Sequence, residues 1–255
     1  MVMRMQVYKY HSCENSFLIM EYLPNKEFSL ISQILCNEYK TDGLLVYKIN
    51  PFEMLVFNKD GSEANMCGNG IRCLFNFLFD FKFVGDVIDI TTKAGIYQCK
   101  VVTKKPFISV VSLGTVDYKN EIIKQEILVN DKLFDITLLE LGVLHAVVLD
   151  NNLEIDEKYA YEIFTHPLIS GKANVNLVKP LNSNMFEIIT YEKGVGFTKA
   201  CGTGVGASGY VLQTEYNMDE SLIAICPGGI LKVDINDNIY LTGESNFIAC
   251  YEVSI

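Results

Sequence analysis

Residues 67–81 of this chain read CGNGIRCLFNFLFDF, and residues 201–216 read CGTGVGASGYVLQTEY. Each segment begins with a Cys-Gly-x-Gly turn and continues as a largely apolar run that is long enough for a helix. The cysteines that open them, Cys67 and Cys201, are 134 positions apart, which is about half of the 255-residue chain. The same local pattern at half-chain spacing indicates an internal duplication. We therefore predict two similar domains, each containing one apolar helix.

Strand-like stretches surround both segments. Before the first turn the chain reads MQVYKYHSC, SFLIMEYL, DGLLVYKI and FEMLVFNKDGS, with a helical pattern at residues 27–39. Short alternating stretches of this kind are typical of antiparallel strands joined by turns. A similar succession follows Gly114, with a helical pattern near DEKYAYEIFTH, and it leads to the second turn. Many short strands and few helices predict the α+β class, with a domain boundary near Gly114.

Composition narrows the range of partners and locations. The net charge of -10 disfavours binding to nucleic acid, whose phosphates would be repelled. No uncharged run reaches the length of a membrane-spanning helix, and the first residues lack the apolar core of a signal peptide. We therefore expect a cytoplasmic protein without a membrane partner, whose eight cysteines are free thiols. The sequence contains no CxxC pair, and the spacing of its three histidines is not that of metal ligands, so we expect no metal site.

The two turns suggest a specific chemistry. A helix N-terminus binds anions through its unpaired N–H groups, and it favours the thiolate form of a cysteine placed there. If the two turns face each other, a carboxylate held between them presents its α-carbon to Cys67 on one side and Cys201 on the other. One thiolate would remove the α-proton, and the opposite thiol would return a proton to the other face. Such an inversion of an amino acid needs no pyridoxal, flavin or metal.

Six segments carry a resemblance to a known family. They are residues 9–17, 57–73, 141–148, 172–178, 191–204 and 226–233, and they extend along essentially the whole chain. In this order they closely resemble the diaminopimelate epimerases. The resemblance implies two pseudo-symmetric domains, each a curved, mostly antiparallel sheet wrapped around a central helix. Because the last strand of that family returns to the first domain, we expect domains at 1–113 plus 245–255 and at 114–244.

The resemblance also implies roles for individual residues. The catalytic pair corresponds to Cys67 and Cys201, which act on a small amino acid without a cofactor. The positions implied to contact substrate are Asn15, Asn58, Gly68, Asn69, Asn174, Glu192, Gly202 and Thr203. His145 and Glu63 match polar residues near the thiols. A homodimer is common in such folds.

Three departures from the family pattern concern the far end of the substrate. Lys193 stands where an arginine usually pairs with the distal carboxylate of diaminopimelate, Val143 replaces an asparagine, and Phe197 replaces a glutamate. We therefore hypothesise a substrate with one stereocentre, and histidine is the preferred choice because cofactor-independent histidine racemases of this fold exist. Its flat ring could pack against Val143, Leu144 or Phe197.

Three alternatives remain at this point. The first is diaminopimelate epimerase itself. The second is a thiol redox or metal-binding protein, which would use a Cys67–Cys201 disulfide or a bound zinc ion. The third is a relative of the same fold that has lost one cysteine, and the presence of both thiols argues against it.

Overall fold

A computed structural model describes residues 3–116, 122–149 and 157–255 of the chain. The chain divides into two units, one formed by Met1–Val111 with Gly243–Ile255, and the other by Ser112–Thr242. None of the helices in the described ranges is long and apolar enough to span a membrane.

The first unit begins with a hairpin and contains two helices. Its elements are β1 (Arg4–Ser12), β2 (Asn15–Glu21), α1 (Phe28–Tyr39), β3 (Gly43–Lys48), β4 (Glu53–Asn58), β5 (Glu63–Ala64), α2 (Gly68–Asp80), β6 (Val87–Thr92), β7 (Gly95–Lys104) and β8 (Phe107–Ser112).

The second unit has one additional strand at its start and otherwise the same order of elements. They are β9 (Ile123–Val129), β10 (Lys132–Leu141), β11 (Val143–Leu149), α3 (Glu157–Thr165), β12 (Asn174–Asn182), β13 (Met185–Glu192), β14 (Gly196–Thr198), α4 (Gly202–Tyr216), β15 (Ser221–Cys226), β16 (Gly229–Ile235) and β17 (Ile239–Glu244). The final strand, β18 (Asn246–Ser254), belongs to the first unit.

Strand pairing repeats between the units in both partner and direction. In the first unit β1 is antiparallel to β2, β2 is parallel to β3, and β3 is antiparallel to β4. The corresponding strands β10, β11, β12 and β13 pair in the same directions. The short strands β5 and β14 pair antiparallel with β4 and β13, respectively. The parallel contact of β4 with β6 corresponds to that of β13 with β15. The predicted α+β fold with two repeated domains is confirmed at the level of individual strands.

The strand β18 completes the correspondence. It pairs antiparallel with β1, as β9 pairs antiparallel with β10. The equivalent strands are therefore β9, the first strand of the second unit, and β18, which is the last strand of the chain but belongs to the first unit.

One helix lies at the centre of each unit. In α2 every residue from Gly68 to Leu78 is buried, and the helix packs against β1, β2, β3, β4 and β18. The helix α4 packs in the same way against β10, β11, β12 and β16. A helix that is enclosed by its sheet needs apolar residues over most of its surface, and the polar side chains Arg72 and Asn76 of α2 are buried with hydrogen-bond partners. The sheet of each unit therefore holds the N-terminus of its helix at a fixed place.

The β1–β2 hairpin differs by one residue from the sequence-based expectation. The strand-like stretches MQVYKYHSC and SFLIMEYL predict a turn between them at Glu14-Asn15, whereas the turn residues are Cys13 and Glu14, with φ of 50° and 57°. Two successive residues in the left-handed region form the turn that suits the twist of a tight hairpin. Asn15 is therefore the first residue of β2 and pairs with Ser12.

Candidate active site

Cys67 caps the N-terminus of α2. Its backbone is extended, with φ −141° and ψ 115°, and its Sγ atom accepts a hydrogen bond of 3.4 Å from the backbone N–H of Gly70. A Cβ atom on Gly70 would lie 3.0 Å from Cδ2 of Leu45, so glycine lets the first turn of the helix pack closely against β3. The thiol of Cys67 is therefore held where the helix dipole favours a negative charge.

A buried arginine braces this turn. The Arg72 side chain is fully buried, and its Nη2 atom donates to Oδ1 of Asn69 at 2.6 Å and to Oγ of Ser12 at 3.0 Å. The hydroxyl of Ser12 donates in turn to the carbonyl of Glu244 at 2.6 Å, and the Ser245 hydroxyl donates to the Arg72 carbonyl. Arg72 therefore links the start of α2 to the β1–β2 turn and to the chain that leads into β18.

Asn15, Asn58 and Glu63 have different surroundings within the first unit. Oδ1 of Asn15 is buried and has no hydrogen-bond partner within the described part of the chain. The amide of Asn58 donates to the Ser62 hydroxyl at 2.9 Å. The carboxylate of Glu63 forms an ion pair with Lys93 at 2.5 Å. Asn15 thus has an unused acceptor of the kind that a substrate ammonium group needs, whereas Glu63 already has a cation as partner.

Cys201 occupies the equivalent position in the second unit. It is the N-cap of α4, with φ −110° and ψ 111°, and only 7% of its surface is exposed. In contrast to Cys67, it makes no side-chain capping hydrogen bond, and its sulfur lies 3.6 Å from the Thr203 hydroxyl. The two turns therefore have the same backbone arrangement, but their thiols have different neighbours.

Glu192 is hydrogen-bonded to the Cys201 thiol. Burial raises the pKa of Glu192 above its usual value, and hydrogen bonds from Thr198 and Cys201 partly offset this rise. The Thr198 hydroxyl donates to Oε1 of Glu192 at 2.7 Å. A carboxylate whose pKa is raised and that accepts a hydrogen bond from a thiol is suited to exchange a proton with it.

The positions that the family resemblance associates with the far end of the substrate also lie in the second unit. Oδ1 of Asn174 accepts a hydrogen bond of 2.9 Å from the backbone N–H of Lys193, whose side chain is exposed. Val143 is 41% exposed. Phe197 packs edge-on against Tyr191, with ring centroids 5.3 Å apart, so part of its ring contributes to the core of the unit.

His145 is part of a buried polar network that the sequence did not reveal. Its Nδ1 atom lies 3.1 Å from Nδ2 of Asn176, and the Thr190 hydroxyl donates to Oδ1 of Asn176 at 3.0 Å. All three side chains are buried, and burial lowers the pKa of His145 to about 3. The available signal was an asparagine within the apolar strand β12, on the same face as Asn174.

Two observations concern the thiol and metal alternatives. None of the eight cysteines, all of which lie in the described ranges, forms a disulfide. Within residues 3–116, 122–149 and 157–255, no group of three or more His, Cys, Asp or Glu side chains is arranged to hold a metal ion.

The sequence family can now be stated. The family model described as diaminopimelate epimerase matches residues 7–119 and 137–248, which include both Cys-Gly-x-Gly turns. The chain belongs to the diaminopimelate epimerase family. A relative from Clostridium perfringens, named diaminopimelate epimerase, is 33% identical over an alignment of 270 positions including gaps, which covers 96% of this chain and 97% of that protein. A diaminopimelate epimerase from Methanocaldococcus jannaschii is 30% identical over 74% of each chain.

Solved structures show that other epimerases share this fold. A hydroxyproline epimerase from Agrobacterium vitis aligns with a TM-score of 0.73 and 13% identity, over 99% of this chain and 93% of that one. At this identity the likeness shows the fold alone. The family match identifies this member of the diaminopimelate epimerase family as an isomerase of the racemase and epimerase type.

Proposed function

We propose that this enzyme epimerises diaminopimelate at an α-carbon, with Cys67 and Cys201 as a thiol acid–base pair. The observation that carries the proposal is the matching position of the two cysteines. Each is the N-cap of a buried helix that its own unit holds at the same point of a repeated strand order. A stereoinversion needs one proton acceptor and one proton donor of similar chemistry on opposite faces of a carbon, and two equivalent thiols meet that need.

The first step is the removal of the α-proton. We assign the binding of the substrate carboxylate to backbone N–H groups at the N-termini of α2 and α4. One cysteine, as thiolate, takes the α-proton, and the electron pair of the broken C–H bond delocalises onto the carboxylate. The same N–H groups stabilise the charge that develops there.

The second step returns a proton from the opposite face. The thiol of the other cysteine gives its proton to the α-carbon, and the electron pair forms the new C–H bond. After one turnover the protonation states of Cys67 and Cys201 are exchanged. To restore the starting state, Cys67 releases its proton to solvent and Cys201 must take one up. We assign the Glu192 carboxyl group, whose pKa is raised by burial, to passing a proton from solvent to the Cys201 thiolate.

The comparisons support diaminopimelate as the substrate. The sequence alone favoured histidine. Relatives that are named diaminopimelate epimerase match nearly the full length of this chain. The exposed Lys193 supplies a positive charge for a second carboxylate, although as a point charge rather than a bidentate fork. We assign the amides of Asn15, Asn58 and Asn174 to the polar groups of the substrate.

Histidine is the second candidate, and Val143 is the observation that favours it. This side chain is exposed and apolar at a position where the family uses an amide, so it offers contact area to a ring. Glu192 is a less suitable partner for an imidazole N–H, since its carboxylate already accepts a hydrogen bond from the Thr198 hydroxyl.

The two substrates are separated by a chiral assay. LL-diaminopimelate and L-histidine are incubated separately with the enzyme in deuterium oxide, and the stereoisomers and α-deuterium content are measured by chiral chromatography with mass spectrometry. We expect epimerisation with deuterium incorporation for diaminopimelate and at most slow exchange for histidine. Fast inversion of histidine without turnover of diaminopimelate would reverse the substrate assignment.

Cysteine variants test the mechanism in the same assay. Cys67→Ser and Cys201→Ser should each abolish inversion, because a serine hydroxyl is far too weak an acid to replace a thiol at neutral pH. The exposed Cys250, in β18, provides the matched control, and Cys250→Ser should retain wild-type activity. Inversion that persists in either of the first two variants would exclude the two-thiol mechanism.

A further inference from the structure

The residues that lead into the two cysteine turns occupy equivalent positions in the repeat. Where β5 pairs with β4, Glu63 lies opposite Phe57. Where β14 pairs with β13, Phe197 lies opposite Tyr191. These two pairs are separated by the same 134 positions as the two cysteines. Glu63 and Phe197 are therefore equivalent, and each belongs to the short strand that precedes the cysteine of its unit.

A short turn contacts each of these segments through the backbone. The turn between β6 and β7 donates a hydrogen bond of 3.2 Å from the N–H of Ala94 to the carbonyl of Asn65. The turn between β15 and β16 donates one of 2.8 Å from the N–H of Gly228 to the carbonyl of Lys199. Asn65 and Lys199 each lie two residues before the cysteine of their unit. These two turn contacts therefore hold the chain directly in front of each Cys-Gly-x-Gly turn.

Different side chains support the two turn contacts. In the first unit, Glu63 forms an ion pair of 2.5 Å with Lys93 of the β6–β7 turn. The equivalent residues of the second unit are Phe197 and Pro227, which carry no charge. Phe197 instead packs edge-on against the ring of Tyr191, with centroids 5.3 Å apart. Electrostatic attraction therefore supports the turn contact of the first unit, and apolar packing supports that of the second.

The backbone part of the turn contact is weaker in the first unit. The N–H of Ala94 is shared, because it also donates to the Thr92 hydroxyl oxygen at 3.2 Å. That hydroxyl donates in turn to the carbonyl of Gly95 at 3.1 Å, so the turn is ordered by its own hydrogen bonds. A donor that is divided between two acceptors at this distance binds each of them weakly. The ion pair is therefore a substantial part of what joins this turn to the segment before Cys67.

We propose that Lys93 is a positioning residue for Cys67. Through its ion pair with Glu63, it holds the β6–β7 turn against the segment that leads into Cys67. The sulfur thereby stays in its capping contact with the N–H of Gly70, at 3.4 Å, where the helix N-terminus favours the thiolate. The side chains of Lys93 and Glu63 are 49% and 28% exposed, so we expect a modest effect. Only the consequence for catalysis rests on the proposed function.

Alkylation of the substrate-free enzyme tests the positioning. At neutral pH, Lys93→Met and Glu63→Gln should each slow the reaction of Cys67 with iodoacetamide about two- to fivefold. Cys201, followed in the same sample by peptide mass spectrometry, should react at its wild-type rate. A direct effect of charge would act in opposite directions, because one variant removes a cation and the other an anion. Opposite changes in the two variants, an unchanged Cys67, or equal slowing of both cysteines would overturn the proposal.

A reversal of the two charges tests whether the side chains act as a pair. The double variant with Glu63→Lys and Lys93→Glu keeps an ion pair, so its Cys67 should react within about twofold of the wild-type rate. Lys100→Met removes an exposed lysine from β7 of the same hairpin and is the matched control, with wild-type rates expected. Circular dichroism and thermal unfolding establish that each variant folds. A double variant as slow as the single variants would refute the role of the ion pair.

Kinetics show whether this positioning serves catalysis. In Lys93→Met, kcat/KM for diaminopimelate should fall by about the factor that is seen in alkylation. The equilibrium constant requires the same factor in both reaction directions. Full activity together with slowed alkylation of Cys67 would refute the link to catalysis. If the wild type does not turn over diaminopimelate but alkylation behaves as expected, the proposed substrate fails and the positioning of Cys67 by Lys93 stands.

Discussion

The backbone N–H of Gly70 donates a hydrogen bond of 3.4 Å to the sulfur of Cys67. The corresponding helix of the second unit lacks this side-chain cap, and the Cys201 thiol is instead hydrogen-bonded to the Glu192 carboxylate. We therefore expect Cys67 to carry the thiolate of the resting enzyme and Cys201 to carry the thiol.

Alkylation should follow this assignment. In the substrate-free enzyme we expect iodoacetamide to modify Cys67 at least several-fold faster than Cys201, because Cys67 is also the more exposed of the two. Peptide mass spectrometry at timed intervals measures both rates in one sample. Preferential modification of Cys201 would reverse the assignment, and Cys250 gives the rate of an ordinary exposed thiol.

Glu192→Gln should reduce activity while increasing stability. Loss of the carboxyl group that returns a proton to Cys201 is expected to lower kcat by about 100-fold or more. Because burial raises the pKa of Glu192 above 4.5, the folded state binds its proton more tightly than the unfolded state does. Ionisation therefore costs folding stability as the pH rises above 4.5.

Urea unfolding at several pH values tests this linkage. Glu192→Gln should be more stable than the wild type at neutral pH, and the difference should disappear at a pH below 4.5, where the wild-type carboxyl is protonated in both states. A variant that is less stable at neutral pH would contradict the assigned direction. Glu187→Gln, in the same strand β13, serves as the matched control.

Gly70 and Gly204 allow close packing under the two helices. Gly204→Ala places a Cβ against the buried Oδ1 of Asn176, and we expect it to reduce the free energy of unfolding by about 1–3 kcal/mol. Gly70→Ala meets the end of the flexible Leu45 side chain and should cost less. Thermal unfolding of both variants provides the comparison, and an equal or smaller cost for Gly204→Ala would argue against a rigid Asn176.

Lys193→Arg tests the distal end of the substrate. A guanidinium can bind a carboxylate through two parallel hydrogen bonds, so the variant should lower KM for diaminopimelate by roughly fivefold, equivalent to about 1 kcal/mol. Activity on substrates with one carboxylate should not change. Steady-state kinetics measure both, and an unchanged KM in Lys193→Arg and Lys193→Ala would place this side chain away from the substrate.

The sequence predicted the features that depend on local pattern. The two Cys-Gly-x-Gly turns predicted two buried helices, and α2 and α4 begin directly after Cys67 and Cys201. Alternation of apolar and polar residues predicted most strands, because a strand with one buried face repeats every two residues. The duplication followed from the spacing of the turns and is confirmed by the pairing directions.

The features that depend on which strands are neighbours could not be predicted. Asn176 reads as one polar residue in an apolar strand, and only the parallel pairing of β11 with β12 brings it beside His145. The ion pair between Glu63 and Lys93 likewise joins residues thirty positions apart, and it gives Glu63 a partner that sequence similarity did not suggest. Such contacts are set by tertiary packing, on which local residue patterns carry little information.

The return of β18 to the first unit has a consequence for biosynthesis. The segment Ser112–Thr242 is continuous, so the second unit has all of its strands as soon as its own residues leave the ribosome. The first unit must wait for β18, and with it for the carbonyl of Ser245, which accepts a hydrogen bond from Asn76 of α2. The half of the protein that is synthesised first is thus completed last, and until then the sheet edge at β1 lacks the neighbour that covers it.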